Sequence, residues 1–354
     1  MIGIVCFNSL RYAQYLFKYT IIFDRLKIPY EVLFWNREGE NNDIPSNWIA
    51  FNETVNTFIP FYKKIFKFVK FNFFLRKEIK KRKYDRLIIL TTPTAISLFT
   101  LLLTKFSKRY IYDYRDITYE NNPLYKFLVK KLISKASFTT ISSEGFKRVI
   151  GASKNYVTAH NTRDFNQVSN NTKRCINRPI KVAYWGMVRQ PGFNCRICDL
   201  FERDSRFLLV YHGAGYHQEL INYCKQKNYS RISFTGAYSL NELDVFAQNT
   251  DIILNAYEND EIQKLAVTVK FYDSIKYKIP MIVTAGSYMS DIVDEHDLGF
   301  SIDWGDDNCL DKLYQLIEKF NWESYFQNVV KYASKIYEDD FLFEQKILKF
   351  CELG

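Results

Sequence analysis

Short apolar runs alternate with helical stretches along the whole chain, and that alternation leaves few architectures open. Ile2–Phe7 and Tyr30–Trp35 have strand length and flank a helical stretch at Leu10–Leu26. Leu87–Leu90, Ser137–Ser142 and Tyr156–His160 continue the series, with helical segments at Ala95–Leu103 and Asn122–Ala136. After a polar, unpatterned stretch at 162–179, centred on Asn170-Asn-Thr-Lys173, the pattern restarts with Ile180–Trp185, Phe207–Tyr211, Ile232–Phe234 and Asp251–Asn255. Strands that are apolar on both sides and separated by helices belong in parallel sheets covered on both faces. The pattern predicts an α/β chain of two Rossmann-like domains: 1–161, a linker at 162–179, 180–330, and a helical tail at 331–354.

Length agrees with two domains, since 354 residues exceed the size at which single cores stop growing. The apolar, uncharged stretch Leu87–Thr104 approaches membrane-spanning length, but Thr91-Thr-Pro-Thr94 divides it into a strand and a helix. Seven cysteines, an odd count in a chain this long, argue against a secreted disulfide framework, and Cys195-Arg-Ile-Cys198 has no second pair at zinc spacing. No signal-peptide pattern opens the chain, so the cytoplasm is the expected compartment.

Charge points to an anionic partner. The net charge is +10, and aromatic residues make up 17% of the chain, a combination that suits phosphorylated ligands, nucleic acid or an anionic bilayer. The segment 58–83 concentrates both properties. On a helical wheel Phe58, Phe61, Tyr62, Ile65, Phe66, Val69 and Phe73 share one face, while Lys63, Lys64, Lys67 and Lys70 share the other, with Phe71 and Phe74 among them. Two placements stay open: the aromatic stripe on the sheet with a solvated basic face, or the helix lying on an anionic membrane.

Three places carry groups suited to chemistry. Asp113, Arg115 and Asp116 end a strand, the position where open parallel sheets collect functional groups. Gly-containing turns follow strands at Gly186-Met-Val-Arg189, His212-Gly213-Ala-Gly215 and Gly236-Ala-Tyr238, and Tyr238 can stack on a base. Thr268 suits the N-cap of a helix whose free N–H groups, with Lys270 one turn in, can hold a phosphate. Asp273 on the same turn can take a ribose diol. Only four histidines occur, with no His-x-His, Asp-x-Asp or His-Glu-x-x-His, so no metal site is expected and diphosphate charge must be met by Arg, Lys and helix N–H groups.

The run Lys270-Phe-Tyr-Asp273 followed by Pro280-Met-Ile-Val283 resembles the Lys-x-Tyr-Glu … Gly-x-Pro-Val-Ile signature of GT-B glycosyltransferases, in particular the bacterial polysaccharide branch of glycosyltransferase family four. Asp273 stands where that family has Glu, and Lys278 where it has Gly. The segment Asp113–Glu120 is similar to its Asp-x-Arg-Asp-x-x-x-Glu, and the Gly186–Arg189 turn to its strand-Gly-x-x-Arg loop. The resemblance implies two domains facing each other across a cleft, with the last helices crossing back to the first domain. It also implies metal-independent hexosyl transfer, with retention, from a UDP- or GDP-sugar to a lipid-linked or oligosaccharide acceptor, as in capsule or other surface polysaccharide synthesis at the inner face of the cell membrane. Arg189, Lys270 and Thr268 would meet the diphosphate, Asp273 the ribose, Gly186 and Gly213 the close backbone approach, Gly236 and Tyr238 the base, and Asp113, Arg115 and Asp116 the acceptor side. A nucleotide-sugar epimerase or hydrolase on the same fold, and a basic nucleic-acid-binding protein, are the alternatives; missing RNA motifs and the acidic strand end count against the second.

Overall fold

The structure, a computed structural model, describes all residues except 8–12, 38, 40–43, 56–60, 163–167, 170–177, 259, 261–262 and 353–354, and side chains at 14 and 61–64. The turn Asn8–Arg11, the first residues of the Leu10–Leu26 stretch, Phe58 and most of the 162–179 stretch, Asn170–Lys173 included, lie outside the described residues. The chain divides into two compact units, Met1–Asn161 with Glu338–Gly354, and Thr162–Tyr337.

The first unit holds strands β1 (Ile2–Cys6), β2 (Tyr30–Asn36), β3 (Trp48–Asn52), β4 (Arg86–Leu90), β5 (Tyr110–Tyr114), β6 (Phe138–Ile141) and β7 (Tyr156–Thr158). Its helices are α1 (Gln14–Leu26), α2 (Phe61–Arg82), α3 (Thr92–Ser97), α4 (Phe99–Leu103), α5 (Pro123–Lys135) and α6 (Lys147–Ile150). All pairings are parallel, in the order β3-β2-β1-β4-β5-β6-β7. The central strands β1, β4 and β5 are buried at every residue because helices cover both faces, which is why they are mainly apolar, with Arg86 and Asp113 the buried charged exceptions. On α1 the spacing Leu16, Tyr19, Phe23 lays one face on this core. At α5 the Asn122 side chain accepts from the N–H groups of Leu124 and Tyr125, and Pro123 fills the first helical position.

In the second unit β8 (Ile180–Trp185), β9 (Phe207–His212), β10 (Ile232–Gly236), β11 (Ile252–Asn255), β12 (Met281–Thr284) and β13 (Gly299–Ile302) form a parallel sheet in the order β10-β9-β8-β11-β12-β13. Helices α7 (Pro191–Arg203), α8 (His217–Gln226), α9 (Leu243–Gln248), α10 (Val269–Tyr277), α11 (Tyr288–Glu295), α12 (Cys309–Glu318) and α13 (Trp322–Glu352) complete the chain. Both sheets reverse direction between their first and fourth strands, β1/β4 and β8/β11, the doubly wound arrangement that opens a crevice at the carboxyl ends of those strands. α13 changes unit along its length. Tyr325, Val329, Tyr332, Ala333 and Ile336 pack with Phe271 and Ile275, whereas Phe343, Ile347 and Phe350 pack with Ile4, Leu16 and Ile88.

Of the two placements open for α2, the structure overturns the one that lays the aromatic stripe on the sheet. Its buried residues are Phe71, Leu75 and Ile79, and Phe71 stacks on Trp35 with ring centres 5.2 Å apart. Phe51 on the edge strand meets both Phe71 and Phe74. Ile65, Phe66, Val69 and Phe73, the stripe that the wheel assigned to one apolar face, are exposed. The aromatic pair placed among the lysines is the one that packs inward, because β3 brings Phe51 to that side. Among the described residues no helix is long and apolar enough to cross a membrane.

Candidate active site

The sheet order places four loops side by side at the carboxyl ends of β10, β9, β8 and β11. Main-chain hydrogen bonds knit three of them together: Gly186 N–H to the His212 carbonyl at 2.8 Å, Gly213 N–H to the Gly236 carbonyl at 2.7 Å, and Val188 N–H to the Ala214 carbonyl at 2.7 Å. The glycines divide by role. A Cβ on Gly213 would stand 1.7 Å from the Gly186 carbonyl oxygen, so Gly213 is required by the approach of two loops to each other. A Cβ on Gly186 (φ +113°) or Gly236 (φ +80°) would meet nothing within 4 Å, so these two border open space.

Thr268 occupies the N-cap of α10 with extended backbone, but its hydroxyl donates to Asn255 Oδ1 at 2.9 Å and makes no cap bond. The cap side chain therefore covers none of the first-turn N–H groups, of which that of Phe271 donates to the Thr268 carbonyl at 3.1 Å. Lys270, the second residue of α10, is only 7% exposed. Its ammonium donates to the Tyr257 hydroxyl at 2.5 Å and lies 4.2 Å from the centre of the Tyr184 ring and 4.8 Å from that of Tyr257. Among the described residues it forms no ion pair with a carboxylate. A buried ammonium without a counter-charge costs several kcal/mol, roughly, and that cost is met by π faces, a phenol oxygen and whatever anion binds there. Arg189 is exposed on the neighbouring loop, and its main-chain carbonyl is fixed by Asn194 Nδ2 at 2.6 Å.

Asp273 lines a cavity of about 250 Å³ with Tyr272, Lys276, Leu240, Asn241 and Asp244. Tyr238 meets Phe246 edge-on at 5.2 Å, and His212 stacks on the other partner surface of that ring at 3.8 Å while its Nδ1 pairs with the Thr235 hydroxyl at 2.9 Å. Burial pushes His212 down to about 4, with Glu242 opposing part of the shift, so the imidazole is neutral at pH 7. α10 ends at Lys278 in the left-handed conformation (φ 51°, ψ 47°), the backbone state for which Gly is ordinarily used.

In the first unit, Asp113 has no exposed surface and Arg115 is 4% exposed. Arg115 Nε lies 2.6 Å from Asp113 Oδ1, its Nη2 donates to Oδ2 at 3.0 Å, and its Nη1 donates to the Ala159 carbonyl at 2.8 Å. The Tyr19 hydroxyl also donates to Asp113 Oδ2, at 2.8 Å. These bonds occupy Asp113 and Arg115 inside the core, which corrects the expectation that they face a substrate. Asp116 alone of the three is exposed.

Tyr184 and Tyr257 carry no mark in the sequence, the first lying inside the apolar run Ile180–Trp185 and the second in no motif; the β8–β11 neighbourhood brings them together.

Two parallel doubly wound sheets in one chain, joined by an α13 shared between both units, define the architecture. The chain has the GT-B fold. Solved structures with that fold align over nearly all of it: sucrose-phosphate synthase from Thermosynechococcus elongatus, with a TM-score of 0.75, 13% identity and 100% of both chains covered; Anabaena HepE in complex with UDP and glucose, with 0.67, 14% and 98% of both chains; and the trehalose-6-phosphate protein from E. coli bound with UDP-2-fluoro glucose, with 0.70, 8% and 99% of both chains. No family model matches the chain, and no curated protein sequence does. Within the GT-B fold the loops after β8 and β11 lie at the switch point of the second sheet, where doubly wound folds bind ligands.

Proposed function

We propose that this protein is a metal-independent glycosyltransferase that moves a sugar from a nucleoside-diphosphate sugar to a glycan acceptor. The observation that carries the reading is Lys270, a buried ammonium with no carboxylate partner among the described residues, at the start of α10 beside the Gly186–Arg189 loop. A diphosphate supplies the missing charge, with Arg189 and the α10 N–H groups as further donors. Asp273, on the wall of the adjacent cavity, takes the ribose, and the Gly236–Tyr238 loop takes the base. UDP is the first choice of nucleotide, because HepE is described in complex with UDP-glucose. Retention is the stereochemical choice, in line with a trehalose-6-phosphate synthase described as transferring with retention. Asp116, the exposed residue that follows the buried Asp113–Arg115 pair, is the acceptor-side carboxylate.

The proposed acceptor is lipid-linked, in bacterial surface polysaccharide synthesis, and the enzyme works peripherally at the inner face of the membrane. What supports this is the outward face of α2. Ile65, Phe66, Val69 and Phe73 are exposed there together with Lys77, Lys80 and Lys81, and the helix's single acid, Glu78, is buried and paired with Arg82 at 3.0 Å. Such a face gains apolar burial in the headgroup region and about 1 kcal/mol per lysine near an anionic surface.

The test is thermal denaturation with UDP, GDP, CDP, ADP and TDP in the absence of metal. A ligand at one hundred times its dissociation constant adds about 2.7 kcal/mol. One responding nucleotide, with the response lost in Arg189→Ala, is expected; silence toward all five overturns the reading.

A further inference from the structure

The switch point of the second sheet holds a hydrogen-bonded chain that no part of the donor reading requires. Tyr184, the fifth residue of β8, donates its hydroxyl proton to the Met187 carbonyl at 2.7 Å. Its oxygen lies 3.3 Å from the Tyr257 hydroxyl, and the Tyr257 oxygen in turn accepts from Lys270 at 2.5 Å. Tyr184 thus shares its proton between the Met187 carbonyl and the Tyr257 oxygen, and the Tyr257 oxygen accepts from both Tyr184 and Lys270. The ammonium keeps its remaining N–H donors for another ligand.

Tyr257 is fixed at both ends of its peptide. Its N–H donates to the Thr284 hydroxyl at 3.1 Å, and that hydroxyl donates to the Tyr257 carbonyl at 2.8 Å, tying the residue to the end of β12. Its ring faces the ammonium at 4.8 Å while the Tyr184 ring does so at 4.2 Å. The two rings and one hydroxyl hold a cation without neutralising it. A carboxylate in the same place would hold Lys270 as firmly but would cancel the charge and repel a phosphate. Burial alone pushes the Tyr257 hydroxyl up, but the Lys270 charge and hydrogen bond, with Tyr184, bring it below the usual phenol range, in keeping with an oxygen that mainly accepts.

We propose that Tyr257 is a positioning residue that keeps Lys270 aimed, with no carboxylate partner among the described residues, at a phosphoanion at the switch point. The identity of that anion as a nucleotide diphosphate rests on the donor reading above; the clamp itself requires only a phosphoanion.

The test is calorimetric titration of the full chain with UDP, uridine and inorganic pyrophosphate at pH 7, using the wild type, Tyr257→Phe, Lys270→Met and the double variant. Tyr257→Phe keeps the ring and removes the oxygen. A hydrogen bond to a charged group predicts that it weakens UDP and pyrophosphate about tenfold, while uridine binding does not change. In the Lys270→Met background the same change has no further effect on UDP. Equal weakening of UDP and uridine, or additive losses in the double variant, would each overturn the clamp. Pyrophosphate binding with no nucleotide binding removes the donor reading and leaves the clamp standing; a wild type that binds neither UDP nor pyrophosphate removes both. Should Tyr257→Phe fail to fold, Tyr184→Phe, which interrupts the same chain one link further on, is expected to give a smaller loss confined to UDP and pyrophosphate, and no loss would overturn the proposal.

Discussion

Arg115 Nε and Asp113 Oδ1 lie 2.6 Å apart inside the first unit, with Tyr19 and the Ala159 carbonyl taking the neighbouring donors and acceptors. Removing one partner of such a pair leaves an uncompensated buried charge, at a cost of about 3–5 kcal/mol. Asp113→Ala is therefore expected to lower the denaturant midpoint sharply. Asp116→Asn, at an exposed residue, is expected to cost far less stability than Asp113→Ala while reducing sugar transfer. Equal stability of the two variants in urea titrations would contradict the assignment of Asp113 to the core.

Gly213 and Gly186 make a second contrast. Gly213→Ala forces a methyl against the Gly186 carbonyl and is expected to destabilise by several kcal/mol, roughly, as strain and overpacking combine. Gly186→Ala meets open space and pays only the backbone strain of φ +113°, about 1–3 kcal/mol, so it is expected to remain folded and lose nucleotide affinity. Circular dichroism melts followed by UDP titration separate the two.

His212 gives the fold a pH dependence of known sign. Its folded-state value is lowered to about 4 from 6.5, so above pH 6.5 both states are neutral and it contributes nothing. As pH falls from 6.5 toward 4 the unfolded chain takes up a proton that the folded chain refuses, and stability drops by at most about 3 kcal/mol. His212→Gln is expected to flatten the fall of melting temperature across that window relative to wild type; parallel curves would refute the assignment.

The two faces of α2 predict opposite phenotypes. Phe71→Ala removes a ring packed on Trp35 and Phe51 and is expected to cost about 3–5 kcal/mol. Phe66→Ser with Phe73→Ser, on the exposed face, is expected to leave the melt unchanged and to abolish co-sedimentation with anionic vesicles. Unchanged sedimentation of the double variant would sink the membrane placement.

Chelation tests the absence of a metal requirement directly. Sugar transfer measured before and after EDTA treatment is expected to be the same, since the proposed charge neutralisation uses Arg189, Lys270 and helix N–H groups.

The sequence by itself determined the class of fold. Runs such as Leu87–Leu90 and Ile252–Leu254 are apolar at every position because parallel strands are buried on both faces, and such local patterns survive in one dimension. It also determined where α10 starts, since Thr268 and Pro280 mark its limits by their own backbone chemistry. Only the tertiary structure decided which side of α2 is covered, because a helix with large apolar residues all round carries no preference until β3 offers it Phe51. It alone joined Tyr184 to Tyr257, seventy-three residues apart, and turned Asp113 from a strand-end carboxylate into a core ion pair. Those outcomes depend on strand order, which is set by how whole elements pack and not by any local stretch of residues.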